Sequence, residues 1–193
     1  KSKAFIRRIN KNTLYLNNYQ LPNETERFLQ ESIKNKKNII ISGSTGSGKT
    51  TLLSSLIKQV SKVEHLIVIE DTNEISISSN NITHIEVGDN KKLLLQSCAN
   101  ALRMRPDRII LGEVRSSEVI PFIMAMNTGH KGLMGSIHAN SAYDSLARLA
   151  VLFSIYHEGT NIDFEIIMKL ICQNIDLIVH MENHKITQII QVL

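Results

Sequence analysis

Residues 38–50 read Asn38-Ile39-Ile40-Ile41-Ser42-Gly43-Ser44-Thr45-Gly46-Ser47-Gly48-Lys49-Thr50, an apolar β-branched run that breaks into a loop of three glycines, a lysine and a threonine. A short β-branched run bounded by turn residues has the pattern of a strand buried on both faces. Thr51-Leu52-Leu53-Ser54-Ser55-Leu56-Ile57 continues as a helix, so the loop falls on a strand–loop–helix corner. Gly43, Gly46 and Gly48 let the backbone curl with its N–H groups pointing inward. The helix that follows adds the positive end of its dipole. Lys49 is spaced to reach β- and γ-phosphates, and the Thr50 hydroxyl to hold Mg²⁺. The whole run from Gly43 through Ser44, Thr45, Gly46, Ser47, Gly48, Lys49 and Thr50 to Thr51 is therefore expected to line the phosphates of ATP or GTP. A merely flexible Gly/Ser loop would have no need of this flanking strand and helix.

Working outward, the chain alternates strand and helix signals. Pro22-Asn23-Glu24 has helix-start chemistry, and Phe28, Leu29 and Ile33 keep a helical spacing. Leu66-Ile67-Val68-Ile69 reads as a second buried strand ending at Glu70-Asp71. Ile75 to Val87 alternates weakly, which suggests an exposed hairpin or excursion. Lys92 to Met104 reads as helix, and Arg108-Ile109-Ile110-Leu111-Gly112-Glu113 as a third buried strand ending in a carboxylate. Ser117 to Met126 is helical, with Pro121 expected to kink it or delay its regular part. Leu133 to His138 reads as a fourth strand, and residues 143–153 and 164–172 as helices. Ile175 to His180 and Lys185 to Leu193, joined by Glu182-Asn183-His184, read as a closing β-hairpin. Such alternation implies an α/β fold, a mostly parallel sheet with helices on both faces, whose ligands sit at the carboxyl ends of the strands.

Composition is consistent with this class. The 193 residues suffice for one full α/β core, and 42% hydrophobic with 21% charged residues is ordinary for a globular domain. No apolar stretch approaches membrane-spanning length. Cys98 and Cys172 form no CxxC pair and read as buried free thiols. A net charge of +4 permits a nucleic-acid or anionic-lipid partner but argues for neither. Lys1 to Ile9 looks like the last strand of something whose earlier strands are absent, and residues 10–22 like a polar, Asn-rich linker. The chain is accordingly expected to be a fragment, with its main domain over residues 23–193.

Hydrolysis of a nucleotide needs a carboxylate near the metal and a base or water-positioner. Glu113 has the place of a Walker B acid. Glu70, Asp71 and Glu74 end the neighbouring strand and could polarise the attacking water. Each strand-end acid taken singly reads as a solvated turn residue, but two such ends flank the phosphate loop. His130 and His138 lie in Thr128-Gly129-His130-Lys131-Gly132 and Gly135-Ser136-Ile137-His138-Ala139-Asn140. A histidine ending a strand beside a γ-phosphate could sense it by hydrogen bonding; the other readings are a satisfied core or surface histidine, and a metal ligand, for which no third ligand has suitable spacing. Arg103, Arg105 and Arg115 suit transition-state charge, in cis or from an adjacent subunit, and singly read as solvated ion pairs. Met104, Met124, Met126 and Met134 read as core filler.

Taken together, GSTGSGKT, IEDTNE, LRMRPDRIILGEVR and TGHKG with SIHAN, in this order and spacing, resemble the secretion-ATPase superfamily and its Walker A, aspartate, Walker B and histidine boxes. The Glu-Asp-Thr of the aspartate box makes the chain look most like the traffic ATPases of type IV secretion systems. The resemblance covers nearly the whole chain. It implies a RecA-like P-loop NTPase domain in a homohexameric, Mg²⁺-dependent ATPase. Its place would be cytoplasmic, peripheral on the bacterial inner membrane, among other components of a secretion apparatus. By resemblance Lys49 and Thr50 are the Walker A pair, Glu74 the catalytic glutamate and Glu70 its supporting acid. Glu113 is the Walker B glutamate and a metal partner with Thr50, and His138 the histidine-box residue. Arg103 or Arg105 matches the basic pair before Walker B, and Arg8 or Arg7 the arginine that the N-terminal domain turns towards phosphate. Other readings are a motor for pilus extension, pilus retraction or type II secretion, a nucleic-acid translocase, and a non-hydrolysing nucleotide-gated adaptor. No four-cysteine zinc module supports the type II or pilus-assembly reading. Scattered Lys and Arg with few aromatics weigh against the translocase, leaving nucleic acid as possible cargo only.

Overall fold

Alternate side chains of each strand point to opposite faces of a sheet, and the strand sequences sort the core into two layers accordingly. In the computed structural model, which describes residues 14–75, 77, 79, 81–159 and 162–192, the elements run α1 (Asn23–Lys34), β1 (Ile39–Gly43), α2 (Lys49–Ile57), β2 (Leu66–Glu70), β3 (Ile82–Glu86), α3 (Lys91–Ala101), β4 (Arg108–Leu111), α4 (Val119–Asn127), β5 (Met134–Ile137), α5 (Ala142–Tyr156), α6 (Phe164–Asn174), β6 (Leu177–Glu182) and β7 (Lys185–Gln191). Ile40, Ile67, Ile69, Ile109, Leu111 and Ile178 join the apolar layer under α3, α4, α5 and α6. Their neighbours Ile39, Ile41, Leu66, Val68, Ile110 and Val179 join the opposite layer with α1 and α2. This places helices on both faces of one sheet.

The strand order is β3-β2-β4-β5-β1-β6-β7, parallel throughout except for the antiparallel β6–β7 pair. With Ile39 opposite both Met134 and Leu177, β1 is sandwiched between β5 and β6. Parallel pairing sends the carboxyl ends of β1, β2, β4 and β5 to one edge, where the chemistry-bearing residues emerge. Arg108 starts β4 at the other edge, buried, where it donates to both carboxylate oxygens of Glu64 at 2.8 and 3.2 Å and to the Ile33 carbonyl at 2.8 Å.

Several sequence expectations need correction. In the stretch read as an exposed hairpin or excursion, Ile82–Glu86 are β3, a parallel edge strand with Leu66 opposite Ile82 and no arm of a hairpin. α4 begins at Val119 rather than Ser117, so its regular part is delayed as one of the two readings had it, and Pro121 falls in the first turn, where its missing N–H has no intrahelical partner to lose. Met104 and Met124 are 46% and 40% exposed and fill no core, whereas Met126 and Met134 are buried. Cys98 is buried and Cys172 only half-buried, both as free thiols. Within the stretch read as a linker, Leu16–Tyr19 forms a 3-10 turn with Leu16 fully buried, and Ser55 Oγ donates to the Leu14 carbonyl at 3.0 Å. The strand expected over residues 1–9, with Arg7 and Arg8, lies outside the described residues.

Gly43 ends β1 with φ +150°, and a Cβ there would stand 2.3 Å from the Met181 carbonyl oxygen and 2.5 Å from Ser47 Oγ. Gly43→Ala is therefore expected to destabilise the fold by about 2 kcal/mol or more. Urea unfolding reads this as a lower midpoint at unchanged slope, and an unchanged midpoint would contradict the packing of β6 on the loop.

Candidate functional site

The loop between β1 and α2 encloses its own cation. Lys49 opens α2 and is only 7% exposed, so its ammonium requires partners. Its Nζ donates to the Gly43 carbonyl at 3.1 Å and the Ser44 carbonyl at 2.9 Å, and lies 3.1 Å from His138 Nδ1. An ammonium has only donors, so His138 Nδ1 must accept and the ring proton sits on Nε2. That Nε2–H lies 2.8 Å from Glu113 Oε1. Lys49, His138 and Glu113 thus form one hydrogen-bonded chain across the ends of α2, β5 and β4. The turn after β4 is held against β5 by Ser136 Oγ donating to the Gly112 carbonyl at 2.6 Å and Val114 N–H donating to the Ser136 carbonyl at 2.7 Å.

A second acidic group stands beyond this chain. Glu70 ends β2, is 6% exposed, and accepts the N–H groups of Ile75 at 3.1 Å and Glu74 at 3.3 Å. Its carboxylate therefore closes the loop that carries Glu74. Burial pushes the Glu70 carboxyl up to about 7, and the two N–H donors, which favour its charged form, offset this incompletely. Asp71 is also raised by burial, opposed by the Arg115 guanidinium with which it forms an ion pair. Glu118, at the start of α4 and fully buried, accepts the N–H of Arg115 and Ser116 and the Ser116 hydroxyl, and so shapes the turn after Glu113.

Lys49, His138, Glu113, Glu70, Asp71 and Arg115 line one cleft of about 550 Å³, within the range of small-ligand sites. Its loop wall is Thr45, Gly46, Gly48, Lys49, Thr50 and Thr51; Glu70, Glu74, Glu113 and His138 line it too. Gly43 and Ser44 turn their carbonyls to Lys49, and Ser47 is buried beneath the loop. Arg115 and His184 line the cleft as well. His130 does not. Arg103 and Arg105 are exposed and precede β4, at the edge opposite the cleft, so they do not reach this chain's own site in cis. Among the described residues no group of three or more His, Cys, Asp or Glu could hold a metal by itself. Thr50 and Glu113, which both line the cleft, are oxygen donors of the kind that would suit Mg²⁺, an ion that keeps waters and binds through few protein groups.

Glu118 and His184 were missed by sequence reasoning. Glu118 had a usable signal, an acid three residues after Arg115 at a helix start. His184 had none, because its place depends on β6 lying next to β1.

Compared with known proteins, residues 1–183 match the family model described as type II/IV secretion system protein. The chain is 38% identical over 160 residues to the type IV secretion system protein VirB11 of Bartonella quintana, and 36% identical over 159 residues to the conjugal transfer protein TrbB of Rhizobium radiobacter. Those matches take in 79% and 80% of this chain but 44% and 46% of the relatives, so the chain spans about half the length of the curated relatives it matches. The crystal structure of the VirB11 ATPase from the Brucella suis type IV secretion system, in complex with sulphate, superposes with a TM-score of 0.80 at 31% identity, covering 91% of this chain and 54% of that one.

Burial of the Glu70 carboxyl makes stability depend on pH. Folded chain holds its proton up to about pH 7, whereas an ordinary glutamic acid releases it near 4.5. Its contribution is thus fully present below the lower value and lost as pH rises through the upper one. Glu70→Gln, neutral throughout, is expected to gain stability over the parent from about pH 5 to about pH 8, by at most about 3 kcal/mol. Parallel stability–pH curves for the two chains would contradict a buried, destabilised carboxylate.

Proposed function

This chain belongs to the type II/IV secretion system protein family, and on that premise we propose that it is the ATP-hydrolysing domain of a type IV secretion motor. One observation carries the reading: Lys49 and Thr50 face Glu70, Glu74, Glu113 and His138 across a single cleft. The N–H groups from Gly46 to Thr51 and the start of α2 receive the triphosphate. Lys49 exchanges its loop carbonyls for β- and γ-phosphate oxygens, which releases His138 to report on the γ-phosphate. Thr50 and Glu113 would hold Mg²⁺, which would supply positive charge to offset that developing on the phosphate oxygens. Glu74, on the loop closed by Glu70, takes the proton of the water that attacks the γ-phosphorus as the bond to the bridging oxygen of ADP breaks.

The chain would work as a homohexamer. Arg103 and Arg105, exposed and remote from the cleft of their own subunit, are suited to reach the nucleotide of a neighbouring one. In the same reading Arg8 is a phosphate-binding arginine of an N-terminal domain, and residues 14–22 pack against the ATPase domain through the buried Leu16. No helix among the described residues is long and apolar enough to cross a membrane. A peripheral seat on the cytoplasmic face of the inner membrane, against other secretion components, belongs to the same reading and rests on the type IV secretion relatives. The identities to named type IV and conjugal relatives favour this branch over a pilus or type II motor.

Steady-state phosphate release by the full-length protein with Mg²⁺ tests the reading. Glu74→Gln is expected to lower kcat by about 100-fold or more while ADP affinity stays within about twofold. Lys49→Ala is expected to lose both binding and turnover. Unchanged turnover in Glu74→Gln would overturn the assignment of the base.

A further inference from the structure

The phosphate loop is approached from two sides. β5, β4 and β2 lie on one side of β1 and carry His138, Glu113, Glu70 and Glu74 at their ends. β6 and β7 lie on the other, and their connecting turn closes down on the loop. Asn183 and His184 both have positive φ, 47° and 63°, the geometry of a two-residue type I′ turn. Glycine is the relaxed choice at the second position, yet an imidazole is kept there. The turn is pinned at several points. His184 N–H donates to the Ser47 carbonyl at 3.1 Å, the Met181 carbonyl leaves no room for a Cβ on Gly43, and Ser42 Oγ lies 2.8 Å from His180 Nδ1. The His184 ring runs along Gly48, with Nδ1 3.1 Å from the place a Cβ would take, and it lines the cleft.

A nucleotide in this cleft has a fixed polarity. Its γ-phosphate must point to the acids, so the α-phosphate and ribose leave the loop towards β6 and β7. Resting on the nucleotide reading above, we propose that His184 is a nucleotide-binding residue, which contacts the α-phosphate–ribose end and lies across the loop from the hydrolytic groups. An imidazole can donate a hydrogen bond to an α-phosphate oxygen or a ribose hydroxyl and present its face to the nucleoside. It carries none of the chemistry at the γ-phosphate.

Calorimetric titration of the full-length protein with Mg²⁺ and either ADP or pyrophosphate tests the assignment, because pyrophosphate fills the loop without the nucleoside. His184→Ala is expected to bind ADP about tenfold more weakly and pyrophosphate within about twofold of the parent. His184→Asn, which tolerates the positive φ and keeps the turn, is expected to show the same selective loss. Equal ADP affinity in the parent and His184→Asn would overturn the proposal, as would an equal loss for both ligands. Failure of the parent to bind either ligand, or normal binding of both by Lys49→Ala, would instead overturn the nucleotide reading itself.

Discussion

An ammonium group cannot stay buried without partners, and the geometry around Lys49 follows from that requirement. The Gly43 and Ser44 carbonyls turn inward to accept from it, so the loop is already curled before any anion arrives. The lysine's positive charge and the N-terminus of α2 favour an anion here, while the two carbonyls hold the ammonium in place until one arrives. A polyanion entering the loop offers the ammonium stronger acceptors than the two carbonyls. Pre-organisation of this kind lowers the ordering cost of binding.

The same lysine ties the loop to the rest of the edge. Through His138 it reaches Glu113, so its withdrawal towards phosphate would break a chain spanning three elements. Parallel register is what makes the chain possible, since it delivers the ends of β1, β4 and β5 to one line. Glu70 has the corresponding role at the neighbouring strand, β2. It holds the loop bearing Glu74 by two backbone hydrogen bonds while itself buried enough to resist ionisation. On the opposite flank the β6–β7 turn packs against Gly43 and Gly48, so the loop is braced from both sides.

Local signals were readable from the chain, and signals that depend on strand order were not. Asn38 to Ile57 could be read because an apolar run, three glycines and Lys-Thr each constrain the backbone in place. The acids at the ends of β2 and β4 were legible for the same reason: each follows directly on a buried β-branched run. His184 was invisible because it touches the loop only when β6 lies beside β1, across more than a hundred residues. β3 was misread since an exposed edge strand alternates weakly and its parallel partner lies on one side only. Pro121 looked like a fault in a helix because its position within the first turn is set by where α4 begins. Met104 and Met124 were assigned to the core from residue type alone, although apolar residues are common at protein surfaces.

The most direct test is a crystal structure of this chain with Mg²⁺ and a non-hydrolysable ATP analogue. Lys49 Nζ, now 2.9 Å from the Ser44 carbonyl, should have moved onto β- and γ-phosphate oxygens, with the γ-phosphate between Thr50 and Glu113. An analogue bound elsewhere, or bound with Lys49 still on the Gly43 and Ser44 carbonyls, would contradict the central role given to that cation.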